Sequence, residues 1–343
     1  MQTDVISLSD LRSHIRKELG EKIFHSTTST LLTPFIHFIL IAILLAAHNL
    51  TNSILLQVLL FAAIGHSIFC IGNFAHYLSH NSIVLNPTLK YGIEMFCWGI
   101  ATTSPTVWKI THNLSHHKYT NGQYDSFRSF TKDEYTKARR LVQLFLSPNR
   151  EMRFSPIVYL TSFISQSSYL NAALLGTNGR VSNVVAYLPE FTRDQRRRVV
   201  LEVLFICAMQ YCIYLVLGSL AAYLLFFIVS QVVANGIASA YLITQHQMYA
   251  PSNENHPLKN STSIKLPKII DVLHLNVSHH VEHHIFPSIS PKYLPDLNHF
   301  LQKNYPQHFT FIPAATAIRN AYKNDVFKDS FAGELSSHLI EAA

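Results

Sequence analysis

Residues 279–287 read HHVEHHIFP, and four of the first six of these residues are histidines. If the segment is helical, His280 and His284 lie one turn apart on the same face, with His283 beside them. Imidazole is the commonest metal ligand among protein side chains. We therefore expect this segment to present three nitrogen ligands to one point.

Two more histidine clusters lie upstream of this stretch. One begins at His76 and reads HYLSH; the other begins at His112 and reads HNLSHH. In each cluster the first histidine is followed by another four residues later, a spacing that puts both side chains on one face of a helix. An isolated histidine is usually an ordinary core or surface residue. Three such clusters in one chain instead favour a shared metal site.

The composition and its distribution predict a membrane protein. Of the 343 residues, 48% are hydrophobic and 14% are charged, whereas soluble proteins average about 25% charged. Residues 30–76 contain no Lys, Arg, Asp or Glu, and residues 199–246 contain only Glu202. Because a bilayer core needs about 20 apolar residues per helix, each block can hold two spans. The predicted spans, which form two helical hairpins in an all-α integral membrane fold, are residues 31–47, 54–75, 199–217 and 220–243.

The basic residues indicate which side of the membrane carries the histidines. The formal net charge is +7, and all 27 Lys and Arg lie within residues 1–29, 77–198 and 244–343. Two hairpins would put these segments on one side, which the positive-inside rule makes cytoplasmic. The second and third segments would form a cytoplasmic helical cap. We expect its basic stretches to contact anionic lipid headgroups and not nucleic acid, since no nucleic-acid-binding motif accompanies the charge.

Two other apolar segments are predicted to lie along the membrane interface. A full span at residues 89–108 or 156–176 would move the histidine clusters to opposite sides, where they could not build one site.

His246 lies just past the end of the fourth predicted span. Asp125 follows the second cluster and is a candidate acceptor for the second ring N–H of a metal-bound histidine.

Some polar residues in the apolar blocks are expected to have no catalytic part. His37, His48 and His66 have no histidine neighbour at helical spacing, so we predict neutral side chains with ordinary hydrogen bonds. The cysteines lack zinc-finger spacing and a disulfide pattern, and we predict that each is a small buried hydrophobe. They are Cys70, Cys97, Cys207 and Cys212.

The three clusters, in the order HxxxH, HxxxHH and HxxHH on a hydrophobic chain, resemble the histidine boxes of the membrane fatty acid desaturase and hydroxylase superfamily. The third box is most similar to that of bacterial acyl desaturases. The resemblance runs from the first hydrophobic segment to Pro295, and it implies a single desaturase-like membrane domain over residues 1–343. The family usually carries an acidic residue where this chain has Tyr77. The HxxHH pattern selects His280, so His279 and His274 are expected to have supporting or structural roles.

The resemblance also implies a ligand set and a reaction. The implied metal ligands, of which all but His246 belong to the boxes, are His76, His80, His112, His116, His117, His246, His280, His283 and His284. Nine ligands are too many for one ion, and the family implies two iron ions that react with O₂. The expected function is an O₂-dependent membrane oxidase that abstracts hydrogen from a long fatty acyl chain and inserts a double bond.

The expected partners follow from that chemistry. They are the acyl substrate, membrane lipid and a separate electron-carrier protein, because the chain has neither a P-loop nor a GxGxxG nucleotide motif. The expected location is the bacterial inner membrane or the endoplasmic reticulum, with the site on the cytoplasmic side. A hydroxylase or an alkene-forming oxidase of the same superfamily is the nearest alternative. A metal transporter is a remote one, since transporters place their ligands near the bilayer midplane within repeated halves, whereas here the clusters lie at span ends.

Overall fold

The computed structural model describes residues 5–24, 28–152, 155–176, 183–329 and 331. Within these ranges the protein is mostly helical. In chain order the α-helices are α1 (Leu8–Leu19), α2 (Leu32–His48), α3 (Ile54–Ser79), α4 (Pro87–Ile100), α5 (Pro105–Trp108), α6 (His117–Tyr119), α7 (Lys137–Leu146), α8 (Thr161–Leu175), α9 (Arg193–Leu217), α10 (Leu220–Gln245), α11 (Pro257–Asn260), α12 (Lys268–Leu273), α13 (His280–Ile285), α14 (Leu294–Asn304) and α15 (Ala314–Ala321). A π-helix, Lys109–His116, joins α5 to α6.

Among the described residues, four helical stretches are long and apolar enough to cross a membrane. They are Glu21–His48, which contains α2, and the helices α3, α9 and α10. Each contains one of the predicted spans, so the prediction of four long apolar helices in two hairpins is confirmed. Two of the helices extend well beyond the predicted spans. Helix α3 continues for a further turn and thereby carries His76, and α9 begins at Arg193, where Thr192 and Gln195 form a capping box.

The turns of the two hairpins follow from local sequence. Between α2 and α3, the Ser53 hydroxyl accepts a hydrogen bond from the Leu56 N–H and caps α3. Between α9 and α10, Gly218 adopts a left-handed conformation with φ 71°, which a glycine accepts without steric cost. Ser219 then caps α10 by accepting a hydrogen bond from the Ala222 N–H.

Helix α3 is the centre of the apolar core. It packs against both α2 and α10, and Phe61, Ile64 and Phe74 are fully buried at these contacts. Gly65 lets α3 approach α10 closely, because a Cβ atom at this position would lie 2.6 Å from the Ser230 carbonyl oxygen. Small residues serve the same purpose where membrane helices meet.

The segments outside the hairpins fold over the hairpin ends that carry the histidines. Helix α13 is buried between α1 and α14 through Leu11, Val281 and Leu297, each 0% exposed. Arg12 Nε donates a hydrogen bond to the Ile285 carbonyl oxygen at 2.9 Å. Strands β1 (Ser263–Lys265) and β2 (Phe311–Pro313) pair in parallel, an addition to the predicted all-α fold. These contacts hold the third histidine box from both sides.

The expectations for the shorter segments had mixed outcomes. Residues 89–108 are divided between α4 and α5, because Ser104 caps a new helix that begins at Pro105. In the described part of the chain neither α4 nor α8 is long and apolar enough to span a membrane, and their position along the interface stays a prediction. The prediction that all four cysteines are buried is wrong for Cys207 and Cys212, which are exposed on α9. An apolar stretch predicts a membrane helix but not which of its faces packs inward.

Candidate metal centre

All nine histidines of the predicted set lie together at the ends of α3 and α10, on the π-helix and on α13. They form two groups, within each of which one ligand atom per residue lies within 4.8 Å of the others. The five-histidine group consists of His76, His80, His112, His117 and His283; the four-histidine group consists of His116, His246, His280 and His284.

The first box lies on the last turn of α3 and behaves as its spacing predicts. His76 and His80 both belong to the five-histidine group. His76 Nε2 lies 2.9 Å from both His112 Nε2 and His283 Nε2. His80 Nε2 is buried and has no hydrogen-bond partner among the described residues. An unpaired ring nitrogen at this point is free to bind an ion.

The second box departs from the i, i+4 expectation, which is wrong here. Its residues lie on the π-helix, where the His117 N–H bonds to the His112 carbonyl five residues earlier. This wider turn aligns His112 with His117, whose Nε2 atoms are 3.0 Å apart, in the five-histidine group. His116 is directed to the four-histidine group instead. π-Helical turns are rare and occur frequently at functional sites.

The third box also divides its ligands. His280 and His284 share the four-histidine group, with Nε2 atoms 3.1 Å apart, as their i, i+4 spacing predicts. His283 belongs to the five-histidine group, so the prediction that three nitrogens converge on one point is wrong. Successive residues of a helix with 3.6 residues per turn point about 100° apart. An adjacent His-His pair can therefore serve two neighbouring ions.

His246 and Asp125 occupy the places that the sequence suggested. His246 ends α10, with Nε2 2.5 Å from His280 Nε2 and Nδ1 3.2 Å from the Asn260 carbonyl oxygen. Asp125 is 0% exposed, and its Oδ1 lies 3.0 Å from His116 Nδ1. A carboxylate in this position orients the ring and fixes its tautomer.

Sequence reasoning missed other supporting groups. Asn73 Oδ1 lies 3.4 Å from His76 Nδ1, and Thr120 Oγ1 lies 3.3 Å from His284 Nδ1. The spacing of Asn73, one turn before His76, is a signal that could have found it. The Tyr77 hydroxyl, at the position where the family carries an acid, is buried and has no hydrogen-bond partner in the described ranges.

Burial keeps the histidines in the form that binds metal. Burial, followed by the charge of neighbouring histidines, lowers the pKa of six of them well below the ordinary value: His80, His112, His117, His280, His283 and His284. The same causes lower the pKa of His246 to about 3. These imidazoles are neutral at pH 7, and a neutral imidazole has the lone pair that a metal ion requires.

The nine side chains fit a pair of transition-metal ions. Ring nitrogens that face one another across each group lie 2.5–3.2 Å apart. A cation between such nitrogens replaces the repulsion of their lone pairs with coordination bonds. Imidazole suits iron, copper, zinc and nickel, so the donor set admits iron.

An apolar cavity borders both groups. Its volume is about 180 Å³, and Phe69, Trp98, Trp108 and Phe127 contribute to its apolar lining. The ligating candidates that reach it are His76, His112, His116, His246 and His280. The arrangement can therefore hold a hydrocarbon chain directly beside both histidine groups.

The other singled-out histidines lie outside both groups. The His279 ring stacks on Phe311, with its Nδ1 atom 3.8 Å from Glu282 Oε1. His274 lies instead beside His66, with their Nε2 atoms 3.1 Å apart. His66 therefore has a histidine neighbour from a distant part of the chain, which no spacing along the sequence indicates.

Comparison with known proteins agrees with this geometry. The family model described as fatty acid desaturase matches residues 52–314, which is more than half of the chain and includes all three boxes. No curated protein matches the chain. The histidine clusters, the four apolar helices and this match together identify the chain as a member of the fatty acid desaturase family.

Proposed function

We propose that this protein is an O₂-dependent membrane oxidase that binds two iron ions at the nine histidines and inserts a double bond into a long fatty acyl chain. Membership of the family makes it an oxidoreductase of the desaturase type acting on fatty acids. The observation that carries the finer proposal is the cavity, since its apolar walls end at histidines of both groups.

Iron is the metal that best fits both the ligands and the reaction. Desaturases of this family are generally di-iron enzymes, and zinc, which the ligands would also accept, has no redox chemistry. When bound, the iron pair would supply the activation of O₂ and the removal of hydrogen from an unactivated methylene. The protein's own contribution is to hold nine imidazoles in place in two groups.

The cavity positions the substrate and excludes water. Trp98 and Trp108 lie with their ring centroids 4.4 Å apart, and the Trp108 ring stacks on His112 with a centroid distance of 4.4 Å. This aromatic wall would hold the alkyl chain against the five-histidine group. Water exclusion protects a reactive intermediate from side reactions.

The remaining parts of the proposal concern the surroundings of the site. The four apolar helices would cross the membrane as two hairpins, with the basic segments and the site on the cytoplasmic side. A separate electron carrier would supply the electrons. Membrane lipid and an acyl chain would be the other partners, whether in a bacterial inner membrane or in the endoplasmic reticulum.

The direct test is product analysis with purified, iron-loaded protein in lipid vesicles, supplied with long-chain fatty acyl substrates, O₂ and a reductant. We expect products that have lost two hydrogens, with formation dependent on O₂. The variants His280→Ala and His279→Ala are a matched pair, because only His280 belongs to the four-histidine group. Activity should be lost in the first and retained in the second. Hydroxylated or terminal-alkene products would instead assign the corresponding alternative reaction.

A further inference from the structure

A third cluster of metal-ligating side chains lies apart from the nine histidines. His66 and Cys70 are one turn apart on α3, and His274 follows the end of α12. One ligand atom of each lies within 4.8 Å of the others. Cys70 is 0% exposed and His274 is 7% exposed. None of the three lines the cavity, so the proposed oxidase reaction gives them no role.

The distances fit one shared ion. His66 Nε2 and His274 Nε2 lie 3.1 Å apart, within the range found in the two histidine groups. The Cys70 sulfur lies 3.9 Å from His66 Nε2. Metal–nitrogen bonds of about 2.0–2.1 Å and a metal–sulfur bond of about 2.3 Å would place tetrahedral ligands roughly 3.4–3.6 Å apart. Small side-chain movements would therefore close the site.

His274 is supported as a ligating histidine usually is. Its Nδ1 lies 2.8 Å from the Tyr241 hydroxyl, so its Nε2 faces the cluster. Asn73 Nδ2 donates to the His274 carbonyl oxygen at 2.6 Å. Leu275 and Asn276 then adopt left-handed conformations, with φ 51° and 56°. A leucine rarely adopts this conformation.

We propose that His66, Cys70 and His274 form a third metal site, which binds one monovalent copper ion. A thiolate with two imidazoles is a soft ligand set that selects Cu(I) or zinc over iron. On binding, the Cys70 thiol loses its proton to water and the sulfur–metal bond forms in its place. With Cu(I) the resulting site is neutral, whereas zinc would leave a net positive charge. Because a charge inside a membrane-spanning helix is costly, copper fits this position better.

The competing interpretation is a purely structural cluster. In that case one neutral imidazole donates to the other, and the Cys70 thiol donates to the Leu273 carbonyl oxygen, 3.5 Å away. Cys70→Ser separates the two interpretations. Serine keeps the size and the hydrogen-bond donor but removes the soft ligand. Cys97→Ser is the matched control, since Cys97 is also buried but lies outside the cluster.

The experiment starts from protein loaded with Fe(II), so that the nine histidines are occupied, and adds Cu(I) without oxygen before desalting and metal analysis. In the native protein and in Cys97→Ser we expect about one copper per chain in addition to the iron. In Cys70→Ser the copper should be lost, while the iron content and the melting temperature stay the same. Cobalt substitution gives a second readout. A thiolate-to-cobalt charge-transfer band should appear in the native protein and be absent from Cys70→Ser. Failure to retain copper, or retention that Cys70→Ser leaves unchanged, would overturn the proposal.

Discussion

Asp125 supports only one of the two histidine groups, so its replacement should weaken metal binding at that group alone. Its Oδ1 lies 3.0 Å from His116 Nδ1 and 2.8 Å from the Phe127 N–H nitrogen, and its Oδ2 lies 2.7 Å from the Asn121 N–H nitrogen. In Asp125→Asn one of these oxygens becomes an amide donor, so one buried donor loses its acceptor. This loss should lower the free energy of unfolding by about 1–3 kcal/mol.

The effect on metal binding should be larger than a general loss of stability would cause. Outer partners of metal ligands typically contribute 10–100-fold to affinity, which corresponds to about 1.4–2.8 kcal/mol. We expect Asp125→Asn to weaken binding of one of the two iron ions by this factor. The other ion, at the five-histidine group, should bind as before.

Competition of iron with a calibrated chelator measures the two affinities separately. Asp133→Asn is the control, because Asp133 is exposed on a short turn and makes no contact with either group; it should bind both ions normally. If Asp125→Asn leaves both affinities unchanged, or weakens both equally, the assignment of Asp125 to His116 and the four-histidine group is refuted.

Three further predictions test the packing, the cavity and a buried charge. Gly65→Ala places a Cβ atom 2.6 Å from the Ser230 carbonyl oxygen and should lower the free energy of unfolding by about 1–3 kcal/mol. The control Gly92→Ala adds a Cβ atom with no other atom within 4 Å and should leave the stability unchanged. Equal melting temperatures of the two variants would contradict this packing. Ala238 lines the cavity. Ala238→Phe narrows the cavity and should reduce turnover of long acyl chains by up to about 100-fold at normal iron content. Unchanged turnover would place the substrate elsewhere. Burial lowers the pKa of Lys328 to about 7, so the unfolded chain binds more protons than the folded one from pH 7 to about 10.5. The free energy of unfolding should therefore increase as the pH is raised across that window. In melting temperatures measured at a series of pH values, Lys328→Met should abolish this increase. An increase that persists in the variant would show that another group causes it.

The fold could be predicted because its strongest signals are local. Two long blocks without charged residues predict four apolar helices, and the short polar interruption in each predicts the hairpin turn. The positions of the helix ends were less predictable. Helix α9 begins among charged residues, where the capping box at Thr192 and Gln195 outweighs their polarity. Hydropathy measures the apolar part of a helix and not its full length.

The nine histidines could be selected as a set from their boxes, but their division into two groups could not be predicted. That division depends on the π-helix, which aligns His112 with His117 in place of His116. The spacing HxxxHH is compatible with either pairing. The contact between His66 and His274 was also out of reach, because it depends on how α12 packs against α3 and not on any spacing along the chain.

In the proposed function, two redox-active ions bind at the nine histidines and carry out the oxidation. The most direct test measures iron content and O₂-dependent acyl conversion together, in the native protein, His284→Ala and His279→Ala. We expect about two irons per chain with activity in the native protein and in His279→Ala, and loss of both iron and activity in His284→Ala. One zinc per chain, or iron and activity that His284→Ala leaves unchanged, would contradict it.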